Sequence, residues 1–108
     1  MSAPPIALGA WRRSNVHFAP GARTAWHQHD GGQVIFVTEG VGRAQSRGGK
    51  IQEIRPGDTV VFGPGELHWH GAAPDRFVVH TAMQEVEKGG EAAEWREQVT
   101  DEEYTAEV

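Results

Sequence analysis

β-Branched and aromatic residues along this chain gather in short runs, and most runs end at a glycine, a proline or both. Such runs suit a pleated, half-buried surface, and the breaks between them suit tight turns. The pattern predicts strands over Ala10–Phe18, Thr24–His29, Gln33–Thr38, Gly42–Arg47, Ile51–Ile54, Thr59–Phe62, Leu67–Ala72 and Arg76–Glu85. Turn signals separate them at Pro20-Gly21, Gly31-Gly32, Glu39-Gly40, Gly48-Gly49, Pro56-Gly57, Gly63-Pro64-Gly65 and Pro74-Asp75. The Gly48-Gly49 pair is expected to close a two-residue hairpin, because such a turn needs positive φ. Eight short strands at this spacing, with no internal repeat, predict an all-β sandwich or closed barrel.

The C-terminal piece has a different composition. Thr100-Asp101-Glu102-Glu103 fits a capping box, so a short helix is expected there. Trp95 and Val99 are expected to anchor this piece on the barrel while the intervening charges face water. The chain is long enough for one domain, residues 1–108, with a barrel core at about 10–86 and a C-terminal extension over 87–108.

Composition narrows the chemistry. Among 108 residues there is no cysteine, which removes disulfides, thiolate metal sites and cysteine nucleophiles together. Any metal must then be held by nitrogen and oxygen. The net charge of −5 and the absence of a basic run argue against a nucleic-acid partner. No apolar stretch reaches the length of a membrane span, and the first residues lack the basic and apolar succession of a signal peptide. The expectation is a soluble, cytoplasmic protein with no membrane partner.

His27, His29, Gln33 and His68 carry the strongest chemical signal. Side chains two apart on a strand point to the same side, so His27 and His29 can converge on one ion. Gln33 follows an Asp-Gly-Gly turn that can bring it opposite the pair, and His68 arrives from a distant hairpin. Imidazole nitrogen and amide oxygen suit a first-row divalent metal, and four such ligands leave coordination positions open, as catalytic sites do. His70 shares a strand face with His68, as a fifth ligand or as an acid/base near neutral pH. His80 shares its parity with Gln84, Val78 and Ala82, a polar pair on an apolar face that reads as pocket lining. Ser14 and Val16 are candidates for the cavity floor, and His17, of opposite parity, is expected to be exposed or structural. Trp69, between two inward histidines, is expected to point outward and, with Trp11, to mark a subunit contact. Arg23 and Trp26 read as packing and surface residues.

Gly21, His27, His29, Gly40, Gly57, Gly65 and His68 match the two cupin motifs, Gly-x5-His-x-His-x3-4-Glu-x6-Gly and Gly-x5-Pro-x-Gly-x2-His-x3-Asn. Three positions depart from them: Gln33 replaces the glutamate, Gly63 the proline and Ala72 the asparagine. Four segments, Pro20–His27, His68–Pro74, Gln84-Glu85 and Val99–Tyr104, resemble the small bacterial cupins that include manganese-dependent hydroxynitrile lyases. The resemblance implies a single-domain cupin, a jelly-roll barrel or double-stranded β-helix. It also implies the ligands His27, His29, Gln33 and His68, with His70 and Gln84 lining the pocket. Its cofactor is a divalent metal, manganese first, with iron, zinc or nickel compatible with the same donors. The assembly it implies is a homodimer or a larger homo-oligomer.

Function then reads as a metal-dependent enzyme on a small organic substrate, most concretely a lyase that cleaves or forms a cyanohydrin. His70, His80 and Gln84 are its candidate catalytic residues. Two alternatives stand beside it: a dioxygenase using iron, nickel or copper, and a non-enzymatic module that binds a metal or a small molecule.

Overall fold

The computed structural model describes residues 10–86 and 94–106. Among the described residues nine strands and one helix follow in chain order: β1 (Ala10–Phe18), β2 (His27–Gln28), β3 (Gln33–Gly40), β4 (Gly42–Ser46), β5 (Gln52–Ile54), β6 (Thr59–Phe62), β7 (His68–Ala72), β8 (Val78–Val86), β9 (Glu94–Trp95) and α1 (Asp101–Tyr104). They form two sheets, one in the order β1-β8-β3-β6 and the other in the order β5-β4-β7-β2-β9. Every pairing is antiparallel. The chain is all-β, with one short helix, as its sequence pattern predicts.

Alternation along the strands builds the interior. On β8, Val78, His80, Ala82 and Gln84 are buried while Met83 is exposed. Ile35, Val37, Ala44, Ile54, Phe62, Ala72, Val78 and Ala82 form a core cluster, drawn from strands of both sheets. Burying such side chains is worth about 1.5–3 kcal/mol for each of the larger ones. At Gly40 (φ +81°) the chain crosses so close to the Phe77 carbonyl that a Cβ would lie 2.0 Å from its oxygen, so only glycine fits.

The C-terminal segment is part of the architecture. Residues 94 and 95 add a strand beside β2, pairing His27 with Trp95. Thr100 caps α1 by accepting from the Glu103 amide, and Glu103 accepts from Thr100 N in return, completing the expected capping box. Beneath it Trp26, Ile51, Trp69, Val99 and Tyr104 make a second buried cluster. The Tyr104 hydroxyl donates to the Ala72 carbonyl, and the Arg23 guanidinium stacks 4.2 Å from the Tyr104 ring centre.

Several expectations change here. Trp69 does point away from its flanking histidines, but it is fully buried under the chain's own Val99 and Tyr104, so it marks no subunit contact. Its partner in that expectation, the side chain of Trp11, lies outside the described part of the structure. Val99 anchors the C-terminal segment in the core, while Trp95 holds it by pairing with His27 and stays 60% exposed. Only Gly48 of the Gly48-Gly49 pair takes positive φ, in a turn closed by Gly49 N donating to Ser46 O. The β4–β5 ladder ends at Ala44 and Gln52, so this is a longer loop rather than a two-residue hairpin. The regular part of β2 is two residues long, because the Asp-Gly-Gly turn and the Gly65 contact claim the backbone that follows. Among the described residues no helix is long and apolar enough to cross a membrane.

Candidate metal centre

Two loops meet on one backbone oxygen. The His29 carbonyl accepts from Gly32 N at 3.1 Å and from Gly65 N at 2.9 Å. Gly32 sits at φ +85° with the Phe62 carbonyl 2.7 Å from where a Cβ would be, so the turn that delivers Gln33 requires glycine. The second loop is braced by Glu66, whose carboxylate accepts from Gly63 N at 2.7 Å and from the Ser46 hydroxyl. The Ser46 bond first, then the Gly63 amide, hold the Glu66 carboxyl below its ordinary value. His68 follows directly and pairs with His27 across the β2–β7 ladder.

The side chains so placed are buried together. His27, His29, Gln33, His68, His70, His80 and Gln84 are each at most 7% exposed. Ring centres lie 4.3 Å apart for His27 and His68, 5.2 Å for His27 and His29, and 5.3 Å for His27 and His70. One nitrogen from each of His27, His68 and His70 falls within 4.8 Å of the others, a grouping able to hold a metal ion. His70, which the sequence leaves between ligand and acid/base, therefore stands inside the cluster rather than beside it.

Hydrogen bonds set the donor atoms. His27 Nδ1 lies 2.9 Å from the Ala25 carbonyl and His68 Nδ1 lies 2.7 Å from the Glu66 carbonyl. A carbonyl only accepts, so both rings carry their proton on Nδ1 and keep a lone pair on Nε2. His68 Nε2 stands 2.9 Å from Gln33 Oε1. Two acceptors at that distance repel unless a cation beside them binds both, a proton is added, or the Gln33 amide turns its NH2 to the ring. Burial opposes the proton, lowering the His68 pKa to about 3 and that of His27 to about 4. The donor set of neutral imidazoles and an amide oxygen thus fits a divalent metal.

His70 and His80 form a second pair, with His80 Nε2 3.2 Å from His70 Nδ1. Burial holds both below the ordinary histidine range, and for His70 the neighbouring His80 adds to it. Phe18 packs on both rings, with centres 5.8 Å from His70 and 5.6 Å from His80. Gln84 lies opposite Gln33 in the β3–β8 register and accepts from Gln33 Nε2 at 3.1 Å. Val16, opposite His80 on β1, is half-buried, whereas Ser14, opposite Ala82, is exposed. His17 is exposed and stacks on Phe77.

Two neighbours of the cluster were not assigned to it from the sequence. Phe62 stacks flat on His68, 3.7 Å between ring centres, and Trp95 lies 4.6 Å from His27. The inward parity of Val60 and Phe62 carried the first signal. The second had none, because Trp95 reaches His27 through a β-pairing some seventy residues away in sequence.

Comparison with known proteins agrees with this architecture. The cupin domain model matches residues 14–80. An (R)-mandelonitrile lyase from Granulicella tundricola is 54% identical over 101 residues, spanning 94% of this chain and 73% of the relative. Among solved structures, a cupin-like protein from Thermotoga maritima is 42% identical with a TM-score of 0.82, over 92% of this chain and 74% of that one. A DMSP lyase from Ruegeria pomeroyi shares the fold, at 20% identity and a TM-score of 0.69, over 81% of this chain and 43% of its own.

Proposed function

The chain belongs to the cupin family, and from that premise we propose that it is a metal-dependent lyase that cleaves or forms cyanohydrins. The observation that supports the reading is the buried His70–His80 pair, whose His70 stands in the same cluster as His27 and His68. A hydrogen-bonded pair of buried imidazoles at that position supports a proton-transfer role next to a bound metal. The 54% identity to a protein named (R)-mandelonitrile lyase narrows the substrate.

In this reading His27, His29, Gln33 and His68 hold a divalent metal, with manganese the first choice. Bound there, the ion supplies Lewis-acid polarisation of a hydroxyl oxygen with no change of redox state. His70 is neutral at pH 7 and takes the hydroxyl proton of the cyanohydrin. As the proton leaves, the carbon–cyanide bond breaks and the carbonyl forms; the proton then passes to the departing cyanide. His80 shares a hydrogen bond with His70 and steadies the ring through both transfers. Phe18 covers the pair and keeps water away from it.

The test is release of benzaldehyde from mandelonitrile by metal-loaded protein, followed by absorbance. Conversion above buffer is expected, lost on metal removal and lowered at least about tenfold by His70→Ala. His70→Ala with metal content unchanged supports the acid/base role; loss of metal in that variant makes His70 a ligand. Conversion no faster than buffer, with oxygen uptake on other small substrates, would favour a cupin dioxygenase instead.

The proposal includes a homo-oligomer. With Trp69 buried, the candidate contact moves to the outer face of the β1-β8-β3-β6 sheet, where Phe36, Val61 and Met83 are exposed. Light scattering at micromolar concentration is expected to report a dimer or larger, and a monomer would remove this part of the reading.

A further inference from the structure

Gln33 and Gln84 face each other on β3 and β8, and both are buried. Gln33 Nε2 donates to Gln84 Oε1 at 3.1 Å. A carboxamide carries one oxygen and one NH2 on the same carbon, so committing the nitrogen to Gln84 commits the oxygen to the opposite side. On that side lies His68 Nε2, 2.9 Å from Gln33 Oε1. The same His68 ring spends its Nδ1 proton on the Glu66 carbonyl, so Nε2 offers only a lone pair. The oxygen and the nitrogen are thus aimed together at one place, where a cation satisfies both.

A second arrangement of the same atoms competes with this one. If both amides turned over, Gln84 would donate to Gln33 Oε1, and Gln33 Nε2 would donate to His68 Nε2. Every one of these groups would then be satisfied with no metal, and an NH2 would face the ion site. The choice between a metal-binding and a metal-refusing Gln33 therefore lies with its partner across the ladder.

We propose that Gln84 is a positioning residue for the metal: by accepting from Gln33 Nε2, it keeps Gln33 Oε1 directed at the ion. This rests on the reading of Gln33 as a ligand. It moves Gln84 from the catalytic candidates of the sequence to a residue that acts through another.

Titration of the metal-free protein with Mn2+, followed by calorimetry, tests it. Gln84→Met keeps the volume and removes the acceptor, and is expected to weaken Mn2+ binding by up to about tenfold, the scale of one buried hydrogen bond. Gln84→Glu can only accept at neutral pH, so it excludes the turned-over arrangement and is expected to bind Mn2+ at least as tightly as the parent. In a Gln33→Ala protein, Gln84→Met is expected to change the affinity by less than about twofold, because the amide it orients is gone. Parental affinity in Gln84→Met, weakened binding in Gln84→Glu, or an undiminished effect of Gln84→Met in the Gln33→Ala protein would each overturn the proposal. Gln33→Ala binding Mn2+ as tightly as the parent would instead remove Gln33 from the ligands, which keeps the two failures apart. If Gln84→Met does not fold, judged by its thermal transition, the comparison of Gln84→Glu with the parent decides alone.

Discussion

His27 and His68 face each other across the β2–β7 ladder and are held in the same way: each ring donates from Nδ1 to the carbonyl two residues before it, Ala25 for one and Glu66 for the other. Two distant motifs thus present two Nε2 lone pairs to one cavity with the same tautomer. The bonds are to backbone, so the tautomer is set by chain geometry and not by a replaceable side chain.

Removing one of the pair tests that arrangement. His68→Ala is expected to weaken metal binding by more than about 100-fold, beyond the usual cost of losing a group that only supports a ligand. Elemental analysis and competition with a chromophoric chelator measure it. Parental affinity in this variant would show that the second motif supplies no ligand.

Acidification acts on the same rings. His27 and His68 have folded-state pKa values near about 4 and about 3, against 6.5 for an ordinary histidine. The unfolded chain therefore takes up protons first as the pH falls. Stability is full above about pH 6.5 and is lost progressively as pH drops towards these lower values, at about 1.4 kcal/mol for each unit of difference. Thermal scans of chelator-treated protein are expected to give a Tm that falls between pH 7 and about pH 4.5. A flat profile over that window would mean the rings are not buried as neutral groups. Metal loading of the folded protein is expected to hold down to about pH 5 and to fail as the pH falls through about 4, where protons begin to compete for Nε2.

Gln33→Glu changes the charge of the proposed shell. Neutral imidazoles and an amide leave a divalent ion uncompensated, which favours anions and the lower oxidation state. The carboxylate variant is expected to bind azide or cyanide more weakly and to let bound manganese or iron oxidise more readily. It also loses the donor to Gln84, which must turn its own NH2 towards the new carboxylate. Azide titration of the metal-loaded proteins measures the first effect, and a higher anion affinity in the variant would count against a metal-bound Gln33.

Tyr104 ties the C-terminal segment to the barrel. Tyr104→Phe removes the hydroxyl bond to the Ala72 carbonyl and is expected to cost about 1–2 kcal/mol. Tyr104→Ala empties the cluster with Trp26, Trp69 and Val99 and is expected to cost about 3–5 kcal/mol. Urea unfolding checks both. If Tyr104→Ala unfolds at the parental midpoint, the segment adds no stability to the barrel.

By itself the sequence determined the strands, most of the turns and the inward set of polar residues. Strand parity is a local property with a period of two, so His27 with His29, His68 with His70, and His80 with Gln84 could each be assigned to one face without knowing what lay opposite. The capping box of Thr100 and Glu103 was legible for the same reason, since its partners are three residues apart. Tertiary structure decided what those faces meet. Trp69 was rightly turned outward, but only the return of Val99 and Tyr104 buries it under its own chain rather than a neighbour. Gln84 was rightly turned inward, but only the β3–β8 register sets it against Gln33 and gives it an amide to orient. His70 joins His27 and His68 because their strands pair at His27 and His68. These outcomes depend on contacts between residues tens of positions apart, and periodicity within one strand carries no information about which other strand will cover it.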